Sequence, residues 1–250
     1  MFGPEATARI NRATAAVKQR LGLEFGSSSP LLNIVFATET FVGEYARRRP
    51  QTFLVGPSMP GSARVDEPAR SDFPWHELPR ERPIVFVSYG TQLASDGRIL
   101  RIIAEAAAPL GVKLVVAAKN ITADQLPGDV LVVPYVPQLE LLARAAACVT
   151  HGGGNTVNEA LYYGVPMIVD PIAWEQPVQA YFVEKSGVGI SMRGRDQTVE
   201  EWRRALTDLL APSSSFRERA RVVGDSYKHH DGASEAARLL VKLANGDTLA

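Results

Sequence analysis

A glycine-rich turn between an apolar run and a helical segment constrains this chain more than any other feature. The turn, His151-Gly152-Gly153-Gly154-Asn155, follows the apolar run 145–150, and the helical segment after it ends at Gly164. Glycine lets a backbone bend tightly and leaves no Cβ in the way of a ligand. The first turn of a helix has unpaired N–H groups that suit an anion. The pattern therefore predicts a strand, a phosphate-binding turn and a helix.

A carboxylate on the same segment extends this prediction. Glu159 lies four residues after Asn155, which places it one turn further along the same helix face. At 1.5 Å of rise per residue, the separation is about 6 Å. A ribose can bridge that distance with its diol donating to Glu159. The segment is therefore typical of a site for a nucleoside diphosphate.

Composition excludes several classes of partner. Lys+Arg and Asp+Glu both total 27 in 250 residues, and this zero net charge argues against nucleic-acid binding. The single cysteine, Cys148, excludes an internal disulfide, is expected to be a buried core thiol and fits a reducing compartment. Neither a membrane-length apolar run nor a signal peptide at Met1–Glu5 is present. We expect a cytoplasmic protein without a membrane span.

Short runs rich in Val and Ile alternate with helical stretches from Ile84 onward. Such alternation favours an α/β fold, a Rossmann-like parallel sheet with helices on both faces. The predicted strands are Ile84–Tyr89, Lys113–Ala117, Val130–Pro134, Ala147–Thr150 and Pro166–Asp170. The predicted helices are Arg98–Pro109, Leu139–Ala146, Asn155–Tyr163, Gln176–Ser186, Val199–Leu210, Ser215–Tyr227 and Gly232–Ala244.

The region before Ile84 has a different character. A helix over Glu5–Leu21 and strands over Leu31–Ala37 and Thr52–Val55 are predicted, followed by a segment rich in proline and charge. We therefore divide the chain into an N-terminal remnant (1–57), a linker (58–83) and a ligand-binding domain (84–250).

Polar residues follow several of the predicted strands. They lie in the segments Ser88–Thr91, Tyr135–Gln138, His151–Asn155 and Asp170–Gln176. In open parallel sheets, ligands bind beyond the carboxyl ends of the strands. The sequence therefore predicts that these four loops converge on one crevice.

These loops together resemble the donor-binding half of the UDP-glycosyltransferases, which have two facing Rossmann-like domains (the GT-B type), and the bacterial macrolide glycosyltransferases in particular. The matching segments are Val87–Thr91, Tyr135–Gln138, Val149–Thr156, Glu159–Leu161, Gly164–Ile168, Trp174–Gln176 and Ala180. Gln179 stands where the family usually has Asn, and Gly154 where plant members have Trp. The resemblance implies an inverting, metal-independent transfer of a hexose from a UDP-sugar to an acceptor hydroxyl. Beyond that donor substrate, it implies no cofactor and no metal ion.

The resemblance also implies a role for each donor-binding residue. Tyr135 would stack on the base beside Val136, Gln138 would contact the nucleoside, and Glu159 would bind the ribose hydroxyls. The diphosphate would be held by His151, Gly153, Gly154, Asn155 and Thr156, assisted by Ser88, Gly90 or Thr91, and the sugar by Glu175 and Gln176. Plainer interpretations stay open: Tyr135 as core packing and Glu175 as a solvated acid in a first helical turn.

The family's acceptor domain and its histidine base have no counterpart at the expected place. Only about 80 residues precede the donor half, and the first histidine, His76, lies in the linker. The resemblance therefore implies a truncated member or one subunit of a split enzyme, inactive alone and without a catalytic residue of its own. The alternative is a catalytically incomplete nucleotide-sugar-binding module that acts only with a separate acceptor-domain partner.

Two other enzyme classes fail on inspection. An esterase with a His-Gly-Gly-Gly oxyanion segment needs a Gly-x-Ser-x-Gly elbow downstream, and the sequence has none. A nicotinamide dehydrogenase needs a third glycine where Val157 stands.

UDP and dTDP both fit the predicted site, although a deoxyribose would lose a contact with Glu159, which favours UDP. The sugar, the small-molecule acceptor and the oligomeric state are left open.

Overall fold

The computed structural model describes residues 29–44, 51–59, 72–90, 97–192, 194 and 196–249. The strands are β1 Asn33–Val35, β2 Thr52–Leu54, β3 Ile84–Ser88, β4 Lys113–Ala117, β5 Val130–Val133, β6 Ala147–Thr150, β7 Met167–Val169 and β8 Gly189–Ser191. The helices are α1 Glu39–Val42, α2 Gly97–Ala107, α3 Gln138–Leu142, α4 Gly154–Tyr162, α5 Gln176–Lys185, α6 Val199–Leu210, α7 Phe216–Tyr227 and α8 Gly232–Asn245. The helix predicted over 5–21 lies outside the described residues.

Six strands form one parallel sheet in the order β5-β4-β3-β6-β7-β8. Alternate side chains of β3 enter different cores: Phe86 packs with α4, α5 and α7 on one face, whereas Val85 and Val87 pack with α2 and α6 on the other. Cys148 is fully buried on the Phe86 face, as predicted. The predicted parallel sheet with helices on both faces is confirmed.

The order of the strands places a crevice at the centre of the sheet. The chain runs outward from β3 through β4 to β5, and then returns to pair β6 with the other side of β3. Connections from β3 and β6 therefore leave in opposite directions, which opens a gap beyond their carboxyl ends. The segments after Ser88 and Thr150 lie at this gap.

Some boundaries differ from the sequence-based expectation. Strand β8 was not predicted, and the strand expected over Leu31–Ala37 is limited to β1. Within the predicted linker, Phe73 and Leu78 are buried in the core on the Phe86 face of the sheet. Their burial shows that the end of this segment packs against the large sheet.

The N-terminal strands β1 and β2 form a separate parallel pair. Helix α8 covers them: Ala236 and Leu239 pack with Val55 and with half-buried side chains of this pair. Asn158 of α4 also reaches the pair. Its amide donates to the carbonyl oxygen of Phe36 at 2.9 Å and accepts from the Tyr227 hydroxyl at 3.0 Å. None of the described helices is both long and apolar enough to cross a membrane.

Candidate functional site

His151 lies at the central gap, between two glycines. A Cβ built on Gly90 would meet Cε1 of its ring at 2.9 Å, and one built on Gly153 would meet Nε2 at 2.8 Å. Gly90 also has a φ of +75°, which side chains with a Cβ rarely adopt. The glycines after β3 and β6 thus leave the space in which the imidazole ring lies.

Burial favours the neutral form of the His151 ring. Burial lowers the pKa of His151, while a hydrogen bond to the Ser88 backbone and the Glu175 charge oppose that shift. A neutral imidazole has one donor and one acceptor nitrogen. Because the Ser88 carbonyl takes the donor, His151 needs a second proton before it can also donate to an anion.

The space beside Gly153 gives a testable prediction. We expect Gly153→Ala to displace the His151 ring and to weaken UDP binding by about tenfold, comparable to losing one hydrogen bond to a charged group. The neighbouring Gly154→Ala is the matched comparison, because its Cβ would meet only Gln179 Nε2, at 3.5 Å. It should weaken binding far less. Calorimetric titration of both variants, with melting curves to verify folding, tests this, and equal losses would contradict it.

Gln138 and Glu159 form the second part of the site. The Gln138 amide donates to the Glu159 carboxylate at 2.5 Å and to the Thr156 hydroxyl at 3.5 Å. Glu159 is only 2% exposed. The carboxylate expected to bind a ribose is therefore bonded to the amide expected to contact the nucleoside, and this pair joins the first turn of α3 to the second turn of α4.

Tyr135 lies beyond β5 and is 48% exposed, so it is not a core residue. Its hydroxyl accepts a hydrogen bond from Lys119 at 2.5 Å. The aromatic ring predicted as a base platform is therefore accessible at the carboxyl edge of the sheet. Lys119 was not predicted as a site residue.

The loop after β7 is shaped by Gln176. Its side chain is 1% exposed, and its oxygen accepts from the backbone N–H groups of Ile172 and Ala173, both at 2.8 Å. Trp174 in the same loop has a φ of 54° and is 59% exposed. The structure therefore gives the Gln176 oxygen a role in holding the loop, while its predicted contact with a sugar stays a prediction.

A buried polar network at the same edge was missed by sequence reasoning. The Tyr89 hydroxyl donates to Asp170 at 2.9 Å, and the amide of Gln197 donates to the other carboxylate oxygen at 2.7 Å. Trp202 donates in turn to Gln197 at 2.7 Å. Burial raises the pKa of Asp170 despite these two donors. The network joins the residues that directly follow β3 and β7, Tyr89 and Asp170, close to His151.

The structure brings most of the predicted residues to one edge. Ser88, Val136 and Thr156 are buried there, Asn155 and Glu175 are exposed, and Thr91 lies outside the described residues. Where the chain is described, no group of three or more His, Cys, Asp or Glu side chains is placed to hold a metal ion. Whether the site acts without a metal ion stays a prediction.

Comparison with known proteins identifies the family of this chain. The family model described as UDP-glucoronosyl and UDP-glucosyl transferase matches residues 67–236. The uncharacterized UDP-glucosyltransferase YojK of Bacillus subtilis is 29% identical over 221 residues, 87% of this chain and 53% of YojK. The 4′-demethylrebeccamycin synthase of Lentzea aerocolonigenes is 30% identical over 245 residues, 92% of this chain and 56% of that protein. The chain spans about half the length of these curated relatives.

Solved structures agree with the fold. The kitacinnamycin glycotransferase has a TM-score of 0.73 at 24% identity, covering 96% of this chain and 62% of its own. CalG4, the calicheamicin glycosyltransferase, has a TM-score of 0.69 at 25% identity, covering 95% of this chain and 59% of CalG4. UGT71G1 of Medicago truncatula, complexed with UDP-glucose, has a TM-score of 0.68 at 20% identity. The match covers 84% of this chain and 53% of UGT71G1. The fold is that of the GT-B glycosyltransferases. This chain belongs to the UDP-glycosyltransferase family.

Proposed function

We propose that this chain supplies the nucleotide-sugar half of an inverting glycosyltransferase that transfers a hexose from a UDP-sugar to an acceptor hydroxyl. The observation that carries the proposal is the hydrogen bond of 2.5 Å from Gln138 to Glu159, a buried carboxylate on the helix that begins at the glycine turn. A buried carboxylate within reach of a helix N-terminus matches a ribose diol joined to a diphosphate. The UDP-glucose complex of the Medicago truncatula neighbour supports the same ligand class.

In this reaction the acceptor oxygen forms a bond to the anomeric carbon while the bond from that carbon to the diphosphate oxygen breaks. The acceptor proton leaves to a base outside the proposed donor half. Negative charge grows on the departing diphosphate, so donors already directed at it lower the barrier. The N–H groups at the start of α4 supply such donors, and His151 adds one when its ring is protonated.

The remaining roles follow from the positions of the side chains. Tyr135 offers an exposed ring on which a uracil base can stack. Glu175 is exposed beside His151, where a carboxylate can accept from sugar hydroxyls. The acceptor pocket and the acceptor-activating base belong to parts of the enzyme beyond this donor half.

Calorimetric titration of the purified chain with UDP in the presence of EDTA tests this proposal. We expect saturable binding without added metal ions, and much weaker binding of uridine, which lacks the diphosphate. The matched variant Thr207→Ala, on the exposed face of α6, should bind UDP as the wild type does. Absence of binding with both UDP and dTDP at millimolar concentration would refute the proposed donor site.

A further inference from the structure

A cavity of about 480 Å³ lies at the amino-terminal edge of the large sheet. It is lined by the segment Trp75–Arg82, by Ile84 at the start of β3 and by Arg144, which precedes β6. The residues proposed to bind a UDP-sugar lie at the other ends of these strands. At 3.3 Å per residue, Ile84 is about 13 Å from Ser88. The volume is within the range of about 300–1,000 Å³ that is usual for small-molecule sites.

The cavity is strongly cationic. The described side chains that line it include three arginines and no carboxylate. Arg82 pairs with Asp129 at 2.6 Å, and Asp129 also pairs with Lys113 at 2.7 Å. Among the described residues, Arg80 and Arg144 form no ion pair with a carboxylate. Two positive charges without a counter-charge therefore meet at one cavity.

An aromatic pair holds one of these two charges in place. The Arg144 guanidinium lies 4.3 Å from the centroid of the Trp75 ring, and Trp75 packs on the buried Phe73 with the two rings 4.6 Å apart. A cation–π contact leaves the N–H groups of a guanidinium able to donate to oxygen. Arg144 is thus positioned in advance for an anionic ligand.

The rest of the lining is apolar. Leu78 and Ile84 are 9% and 5% exposed, and Pro79 lies beside them. Arginine recognises phosphate through paired N–H groups, which gives both affinity and orientation. A bare phosphate ion would leave the apolar side chains uncovered, whereas a phosphate that carries an apolar group would contact both parts of the lining.

We propose that this cavity binds a phosphate ester with an apolar substituent. Arg80 and Arg144 bind the phosphate, and the substituent lies against Leu78, Pro79 and Ile84. The cavity is a second ligand site, at the edge of the sheet opposite to the glycine turn, and its occupation does not depend on the proposed donor site.

Calorimetric titration with phenyl phosphate tests this site. We expect saturable binding at millimolar concentration, and weaker binding of inorganic phosphate, which lacks the apolar ring. Arg80→Gln and Arg144→Gln should each weaken the binding of phenyl phosphate by about tenfold, the usual scale for one hydrogen bond to a charged group. Arg80→Gln should keep the melting temperature of the wild type, because no ion pair with a described residue is lost.

Arg204→Gln is the matched control. Arg204 lies on α6, its side chain is 84% exposed, and its nearest carboxylate, that of Asp208, is 4.0 Å away. This variant should bind phenyl phosphate as the wild type does. Unchanged affinity in both Arg80→Gln and Arg144→Gln would overturn the inference. So would inorganic phosphate binding as tightly as phenyl phosphate, since the apolar lining would then contribute nothing.

A second titration separates this cavity from the proposed donor site. Phenyl phosphate should bind equally well with UDP present, and Arg80→Gln should bind UDP as the wild type does. Competition between UDP and phenyl phosphate would overturn the inference by placing both at one site. Failure of the wild type to bind UDP would refute the donor site alone, because the effects of Arg80→Gln and Arg144→Gln on phenyl phosphate do not depend on it.

Discussion

Glu159→Gln is expected to reduce the preference of this protein for UDP over 2′-deoxyuridine diphosphate, because a neutral amide forms a weaker hydrogen bond to the 2′-hydroxyl than a carboxylate does. In the wild type, a carboxylate that accepts from both ribose hydroxyls should favour UDP by about tenfold, because a hydrogen bond to a charged group contributes roughly 1.5–3 kcal/mol. The glutamine variant keeps the shape of the side chain and can still accept from Gln138 with its oxygen. Calorimetric titration of both proteins with both nucleotides measures the two ratios.

Because Glu159 is buried, the residue that replaces it must be chosen to preserve the packing around it. Glu159 is 2% exposed and takes the Gln138 amide at 2.5 Å, so truncation to alanine would leave a cavity and an unpaired buried amide. Loss of binding in the alanine variant would not show whether a contact with the nucleotide or the packing around residue 159 had been lost. Glu159→Gln avoids this ambiguity, and its melting temperature should stay near that of the wild type. If Glu159→Gln keeps the full preference for UDP, the Glu159 carboxylate does not bind the ribose.

The second large expected effect is a dependence of UDP-glucose affinity on pH. We expect the affinity for UDP-glucose to fall as pH rises, by up to tenfold per pH unit above the His151 pKa, since binding then requires uptake of one proton. Burial lowers the pKa of this residue in the free protein, so the ring is neutral near pH 7. A bound diphosphate favours the protonated ring, because an opposite charge stabilises the imidazolium. The pKa therefore rises on binding, and the lower pH gives the tighter complex.

UDP-glucose is the suitable probe because its diphosphate is esterified at both ends and does not titrate near neutral pH. Titration in two buffers that differ in ionisation enthalpy measures the protons taken up. His151→Gln, whose amide donates at any pH, should bind with no proton uptake. Binding of UDP-glucose by the wild type between pH 6 and 8 with no uptake would show that His151 remains neutral in the complex.

Sequence reasoning predicted the parts of this protein that depend on local pattern. The glycine turn, the strand before it and the helix after it needed only residues 145–164, and the buried strands β3 to β7 were recognisable from runs of Val and Ile. Strand β8 was missed because Gly189-Ile190-Ser191 has one β-branched residue and a glycine, and pairing with β7 alone makes it a strand.

The contacts that were not predicted join residues distant in sequence. Asp170 meets Tyr89 across 81 residues and Gln197 across 27, and no local pattern connects them. Gln176 was predicted to contact a sugar, which stays a prediction; the contact of its side-chain oxygen with the backbone of its own loop was not predicted. An amide at the first position of a helix is compatible with both contacts, so the sequence alone did not indicate the contact with the loop. The pairing of Lys119 with Tyr135 became visible only once β4 and β5 were known to be neighbours.

Helix α4 joins two regions that the sequence keeps apart. Glu159 bonds to Gln138 on one side of the helix, and the preceding residue, Asn158, bonds to the Phe36 carbonyl beyond β1 on the other. Consecutive residues of one helix cannot move independently, so a shift of α4 that accommodates a nucleotide also displaces the support of the N-terminal strands. Such coupling is reciprocal in free energy. A molecule whose binding to β1 and β2 shifts α4 would alter nucleotide affinity by the same factor by which the nucleotide alters that molecule's affinity.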